Sequence, residues 1–164
     1  MAKQKVLLIG ALGNMGKRYS AIIDNVFAGK IDLIKTDIGD PWPEIFDLAI
    51  VATPTDTHFS QCLRLIKYGK PFLCEKPLCF IPAQARAIEE KAEGKCKGFM
   101  VNNWAHAIPG SYLQTYSNNV EYDYYHTGKD GMHWDCIQLY ALADRINLNN
   151  KSHVFKAKIN GHPI

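Results

Sequence analysis

The chain has 164 residues, 47% of them hydrophobic and 21% charged, which suits one compact domain, or one domain with a small appendage, excludes two full-sized domains and does not point to disorder. No apolar run approaches the roughly 18 residues of a spanning helix, and the stretch VLLIG behind the short MAKQK start is too brief for a secretion signal, so a cytoplasmic protein without a membrane partner is expected. The net charge of +3 is spread over 19 basic and 16 acidic residues with no basic run longer than Lys17-Arg18, a pattern that argues against a nucleic-acid partner.

The first two thirds alternate strand and helix. Residues 5–10 (KVLLIG) form a short apolar run, as in a strand buried on both faces. Residues 14–28 follow with Met15, Tyr19, Ile22, Ile23 and Val26 at helical offsets. A second strand is predicted over 31–36 and a third over 47–53 (DLAIVAT). Residues 55–68 read as a helix closed by Gly69. Residues 71–74 give a fourth strand, 82–93 a helix with proline at its start, and 98–102 a fifth strand. This order predicts an α/β fold with a doubly wound parallel sheet, Rossmann-like.

The connection after the second strand is short. Only IGDPWPEIF lies between Asp37 and Asp47, and its two prolines oppose a helix. The fold is therefore expected to be abbreviated there, lacking a helix and a strand, with Trp42 and Phe46 covering the sheet.

After Trp104 the pattern changes. Residues 120–126 (VEYDYYH) alternate like a strand, 131–145 carry a helical pattern, and 154–159 (VFKAKI) alternate again. Asn160-Gly161 is a hairpin signal, but the chain runs only three residues further, and no return strand is expected. The reading is a dinucleotide-binding domain over 1–117 and a truncated α+β piece over 118–164 for substrate and oligomerisation.

Cysteines at 62, 74, 79, 96 and 136 contain no CxxC pair and read as reduced thiols. His126, His133 and Asp135 match no strong ligand spacing, so no metal is expected.

Three constellations carry chemistry. Gly10, Gly13, Asn14, Met15 and Gly16 form a GxxGxxG turn between a strand and a helix, where backbone N–H groups and the helix start can hold a pyrophosphate. Asp37 ends the second strand 21 residues after Gly16, close to the spacing of the acid that binds the adenosine ribose. A carboxylate there repels a 2′-phosphate, so NAD is expected over NADP. The second constellation is Thr53, Pro54, Thr55 and His58, just beyond the third strand and on the ligand side of such a sheet. Thr55 or Asp56 can cap the next helix there, and His58 can cap or pack. The third is Glu75-Lys76-Pro77 after the fourth strand, with Lys76 placed to polarise a hydroxyl or carbonyl.

The stretches VLLIGALGNMGKRY, DLAIVATPTDTH, GKPFLCEKPL and GFMVNNW, in this order over residues 5–104, resemble the glucose–fructose oxidoreductase / inositol dehydrogenase (Gfo/Idh/MocA) family. The resemblance implies a dinucleotide-binding domain joined to an open-sheet domain that shapes a sugar or cyclitol site and a dimer interface. It also implies Lys76 near nicotinamide and substrate. The family's DxGxHxxD segment corresponds to residues 129–136, where Gly131 and His133 align, Lys129 and Cys136 stand at the acidic positions, and Asp130 and Asp135 are displaced by one. The family's asparagine-then-arginine pattern is altered to Asn102-Asn103-Trp104. The glycine turn also resembles that of dihydrodipicolinate reductase.

The function expected is an NAD-dependent oxidoreductase acting on a sugar, cyclitol or related polyhydroxylated small molecule, with Lys76 and His133 catalytic. The alternative is a non-catalytic nucleotide-binding accessory or sensor protein of the same fold. A homodimer, or an oligomer built from dimers, joined through residues 118–164 is expected because a small sheet leaves free edges.

Overall fold

The computed structural model describes residues 2–101 in full, together with the backbone of three strands at 119–124, 154–159 and 162–163. The chain divides into two compact units, Met1–Val101 and Asn102–Ile164. The 117/118 boundary read from the sequence lies outside the described residues.

The first unit runs β1 (Gln4–Ile9), α1 (Asn14–Val26), β2 (Ile31–Thr36), β3 (Leu48–Val51), α2 (Thr55–Lys67), β4 (Phe72–Cys74), α3 (Pro82–Ala92) and β5 (Gly98–Met100). All five strands are parallel, in the order β2-β1-β3-β4-β5. The chain leaves β1 toward one side of the sheet and returns through β3 on the other, so the order reverses between these two strands. That reversal is where doubly wound sheets open a crevice at their carboxyl ends.

The alternation of side chains along each strand divides the core into two layers. Val6, Leu8, Ile50 and Ala52 face one way and pack with Ile23, Met15 and Tyr19 of α1. Leu7, Ile9, Ala49, Val51, Phe72 and Cys74 face the other way, toward Cys62, Leu65 and Ile66 of α2 and Ile88 of α3.

The segment between β2 and β3 contains no helix, as its prolines and length require. Trp42 and Phe46 are buried against the second layer in place of one. The Trp42 ring lies edge-on to Phe46 at 6.4 Å and tilted against Tyr68 at 5.8 Å. The Arg64 guanidinium sits 3.8 Å from the Trp42 ring centre, a cation–π contact that ties α2 to the shortened connection. The helix ends follow their punctuation: Pro82 is the first residue of α3, and Gly69 and Gly94 take positive φ just beyond α2 and α3.

In the second unit β6 (Asn119–Tyr124) pairs in parallel with β7 (Val154–Ile159). A third strand, β8 (His162–Pro163), pairs antiparallel with β7, with Ile159 opposite His162. This corrects the expectation that no return strand forms: two residues suffice to pair with β7. The helix expected at 131–145 lies outside the described residues.

Phe46 is fully buried, whereas its neighbour Ile45 is 66% exposed. Phe46→Ala is expected to cost about 3–5 kcal/mol and Ile45→Ala less than about 0.5 kcal/mol in urea unfolding. Equal, small losses would show that the connection does not serve as the missing helix's cover.

Candidate functional site

Strand register builds the site. Ile9 pairs with both Thr36 and Val51, and Val51 pairs with Cys74. The residues that follow these ends are Gly10, Asp37, Ala52-Thr53 and Glu75-Lys76, so all three constellations emerge side by side along one edge of the sheet.

The glycine turn is shaped by contact with its neighbours. Gly10 has φ of 90°, and a Cβ there would lie 2.7 Å from the backbone carbonyl of Ala52. A Cβ on Gly16 would collide with the carbonyl oxygen of Gly10. Glycine at both positions therefore lets α1 begin directly against the β1–β3 junction. Gly13 is the N-cap residue of α1; no side chain caps the helix, and its first turn holds no acid. The partial positive charge of the helix start is thus left for a ligand to meet. Asn14 is exposed and Met15 half-buried at that start.

Asp37 reaches across to this turn. Its Oδ2 accepts a hydrogen bond from the Leu12 N–H at 3.1 Å, and its Oδ1 accepts one from the Ile38 N–H at 2.8 Å. The carboxylate is half-exposed, and an ionised carboxylate has about four acceptor positions. Capacity for two hydroxyl donors therefore remains.

At the second constellation neither Thr55 nor Asp56 caps α2. The N-cap residue is Pro54, with no side-chain hydrogen bond. The polar contacts come instead from Thr57, whose Oγ1 lies 2.7 Å from both Thr53 Oγ1 and the Pro54 carbonyl oxygen. This corrects the capping expectation: proline fixes the entry angle, and the hydroxyl one turn in closes the loop. Thr53 is buried, Pro54 exposed and Thr55 half-buried.

His58 is 1% exposed. Its Nδ1 lies 2.9 Å from the Pro77 carbonyl oxygen and its Nε2 lies 2.8 Å from that of Thr53. Each ring nitrogen faces a backbone carbonyl, and the one that carries the proton donates, so the ring bridges the second constellation and the third.

Lys76 is half-buried and Glu75 and Pro77 are buried; the Lys76–Pro77 peptide bond is cis. Glu75 Oε1 accepts the Tyr19 hydroxyl at 2.5 Å, and Oε2 accepts the Lys76 N–H at 3.1 Å. Burial, followed by the hydrogen bond to and charge of Glu75, holds the Tyr19 phenol well above its ordinary ionisation range. Burial likewise raises the Cys79 and Cys96 thiols, keeping them from the reactive thiolate form.

Tyr19 was legible in the sequence only as an apolar position of α1. The one signal for more is that a tyrosine on a buried face needs a partner for its hydroxyl. His133, Asp130, Asp135 and Asn102-Asn103-Trp104 lie outside the described residues. Among the described residues no group of three or more His, Cys, Asp or Glu side chains could hold a metal ion, and no helix is long and apolar enough to cross a membrane.

Comparison with known proteins bears out the family resemblance. Residues 38–103 match the Gfo/Idh/MocA family model, described as an oxidoreductase family with an NAD-binding Rossmann fold. Inositol 2-dehydrogenase of Rhodococcus jostii is 37% identical over 68 residues, spanning 35% of this chain and 19% of that protein. D-xylose 1-dehydrogenase (NADP(+)) of Hypocrea jecorina is 36% identical over 63 residues, 38% of this chain and 16% of that protein. The chain thus covers under a fifth of either curated relative. A Gfo/Idh/MocA family oxidoreductase from Vibrio cholerae superposes with a TM-score of 0.65 at 15% identity, over 76% of this chain and 49% of its own, a likeness of fold.

The Tyr19 phenol fixes a pH dependence. Below the ordinary value of 10.0 it is protonated folded and unfolded alike. Above that value the unfolded chain releases the proton first, so stability falls as pH rises. Urea unfolding from about pH 9 to 11 should show a steeper loss for the native chain than for Tyr19→Phe. Parallel curves would contradict the half-buried Tyr19–Glu75 bond.

Proposed function

We propose that this chain, a Gfo/Idh/MocA relative through residues 38–103, binds NAD and takes part in hydride transfer to or from a sugar, cyclitol or related polyhydroxylated molecule. The observation that carries the reading is the convergence of the uncapped α1 start, the Asp37 carboxylate and Glu75-Lys76 on one sheet edge at the strand-order reversal. The residues fit the cofactor. Gly10 and Gly16 leave no room for side chains, so a pyrophosphate can approach the N–H groups at 14–16, while the Gly13 N–H closes the turn on the Gly10 carbonyl, and Asp37 has capacity for ribose hydroxyls. Thr53, Pro54 and Thr55 border the same edge, while His58 and Glu75 support it from beneath.

When bound, the nicotinamide supplies the acceptor or donor of the hydride. The chain's own part is to orient and polarise the substrate oxygen through the Lys76 ammonium and to move its proton. His133 is the base on this reading, because an imidazole titrates near neutrality. The inositol and xylose activities in the relatives' names support a polyhydroxylated substrate.

The reading includes a cytoplasmic location, in keeping with free thiols at Cys62, Cys74, Cys79 and Cys96. It also includes a homodimer through residues 118–164, where β6 and β8 are the outer strands of a three-stranded sheet. The displaced acids Asp130 and Asp135 favour a second reading, nucleotide binding without catalysis.

Titration of the full chain with NADH and NADPH, followed by turnover on sugars and cyclitols with NAD, tests the proposal. Asp37→Ala should weaken NADH by about tenfold or more and NADPH less. Lys76→Ala should lower turnover by about 10² with NADH affinity nearly intact. A native preference for NADPH, or equal losses in Asp37→Ala, would contradict the ribose assignment. Tight NADH binding without turnover on any substrate would favour the second reading.

A further inference from the structure

Lys76 belongs to neither a helix nor a strand; it follows the three-residue strand β4. A half-buried side chain on such a loop needs its backbone held if its ammonium is to stand at one point. Both neighbours of Lys76 are anchored, and by different helices. On one side, Glu75 is 6% exposed. Its two carboxylate oxygens divide their work, one accepting the Tyr19 hydroxyl at 2.5 Å and the other the Lys76 N–H at 3.1 Å. On the other side, the Pro77 carbonyl lies 2.9 Å from His58 Nδ1, and His58 Nε2 lies 2.8 Å from the Thr53 carbonyl.

Packing alone does not explain this choice of residues. An apolar side chain fills a buried position at lower cost than a carboxylate or an imidazole. The polar groups make sense as a device that specifies where the 75–77 loop sits. Tyr19 rides on α1, which begins at the glycine turn, and His58 rides on α2, which begins just after Thr53.

We infer that Tyr19 and His58 are positioning residues for Lys76, Tyr19 acting through Glu75 on its N–H side and His58 acting through Pro77 on its carbonyl side. The inference rests on the proposed oxidoreductase reading. It ties the lysine to the same two helices whose starts border the dinucleotide crevice, so cofactor seat and lysine keep a fixed relation.

Tyr19→Phe keeps the ring and removes only the hydroxyl, and Glu75→Gln keeps the shape but turns one acceptor into a donor. Amide hydrogen exchange on the full chain should speed up at Lys76 by about tenfold in both variants, with the Leu7 and Leu8 amides unchanged. On any polyol that the native chain oxidises with NAD, kcat of Tyr19→Phe should fall by about tenfold while KM and NADH affinity stay within about twofold. Unchanged exchange at Lys76, a uniform rise across the core, or an unchanged kcat would overturn the proposal. If the native chain binds no NADH, the function proposed above fails by its own test, and the exchange measurement alone decides whether the Tyr19–Glu75 anchor holds the lysine.

Discussion

The carbonyl oxygen of Gly10 occupies the place a Gly16 side chain would need, and the backbone of Ala52 occupies the place a Gly10 side chain would need. Three backbone segments therefore meet without side chains between them: the end of β1, the start of α1 and the end of β3. Most of the site depends on this contact. It sets α1 close enough to β3 for Tyr19 to reach Glu75, and it leaves the N–H groups of the helix start uncapped. It also places the Leu12 N–H where Asp37, arriving on β2, can accept it. A single methyl group at position 16 would displace all of these together.

The opposite face of the sheet solves a different problem. A doubly wound fold ordinarily covers each face with helices, and here the chain between β2 and β3 is too short and too rich in proline to make one. Trp42 and Phe46 replace helical cover with aromatic area, and Arg64 and Tyr68 fix the Trp42 ring from α2. The carboxyl edge carries the strand-order reversal between β1 and β3, although no helix or strand lies between β2 and β3. Abbreviation on this scale costs cover, which two large side chains restore, and leaves the ligand edge intact.

The fold was largely legible in the sequence because buried parallel strands read as apolar runs and the glycines and prolines fall where helices begin and end. The third strand, with Ala49, Ile50 and Val51 all buried, is the clearest case. Legibility fails where a residue's role depends on a partner far along the chain. His58 reads equally well as a cap, a packed ring or a ligand contact, and only the fold brings the Pro77 carbonyl to its Nδ1. Tyr19 and Glu75 stand 56 residues apart, and helical periodicity shows the ring but not the hydroxyl's partner. Neither Thr55 nor Asp56 caps α2, because Pro54 holds the N-cap position, and the Thr57 hydroxyl donates back to the Pro54 carbonyl instead. At the far end of the chain, Ile159 pairs with His162, so two residues make the return strand that the chain's length had argued against.

On the function proposed above, the side-chain-free contact around Gly10 and Gly16 serves a dinucleotide. Backbone ¹H–¹⁵N spectra of the full chain, recorded as NAD is added, test this most directly. Saturable shifts of the amides at 12–16 are expected, with Ile38, Thr53 and Lys76 moving along the same binding curve. Absence of saturable shifts, or shifts that leave residues 12–16 and Ile38 untouched while other surfaces respond, would contradict it.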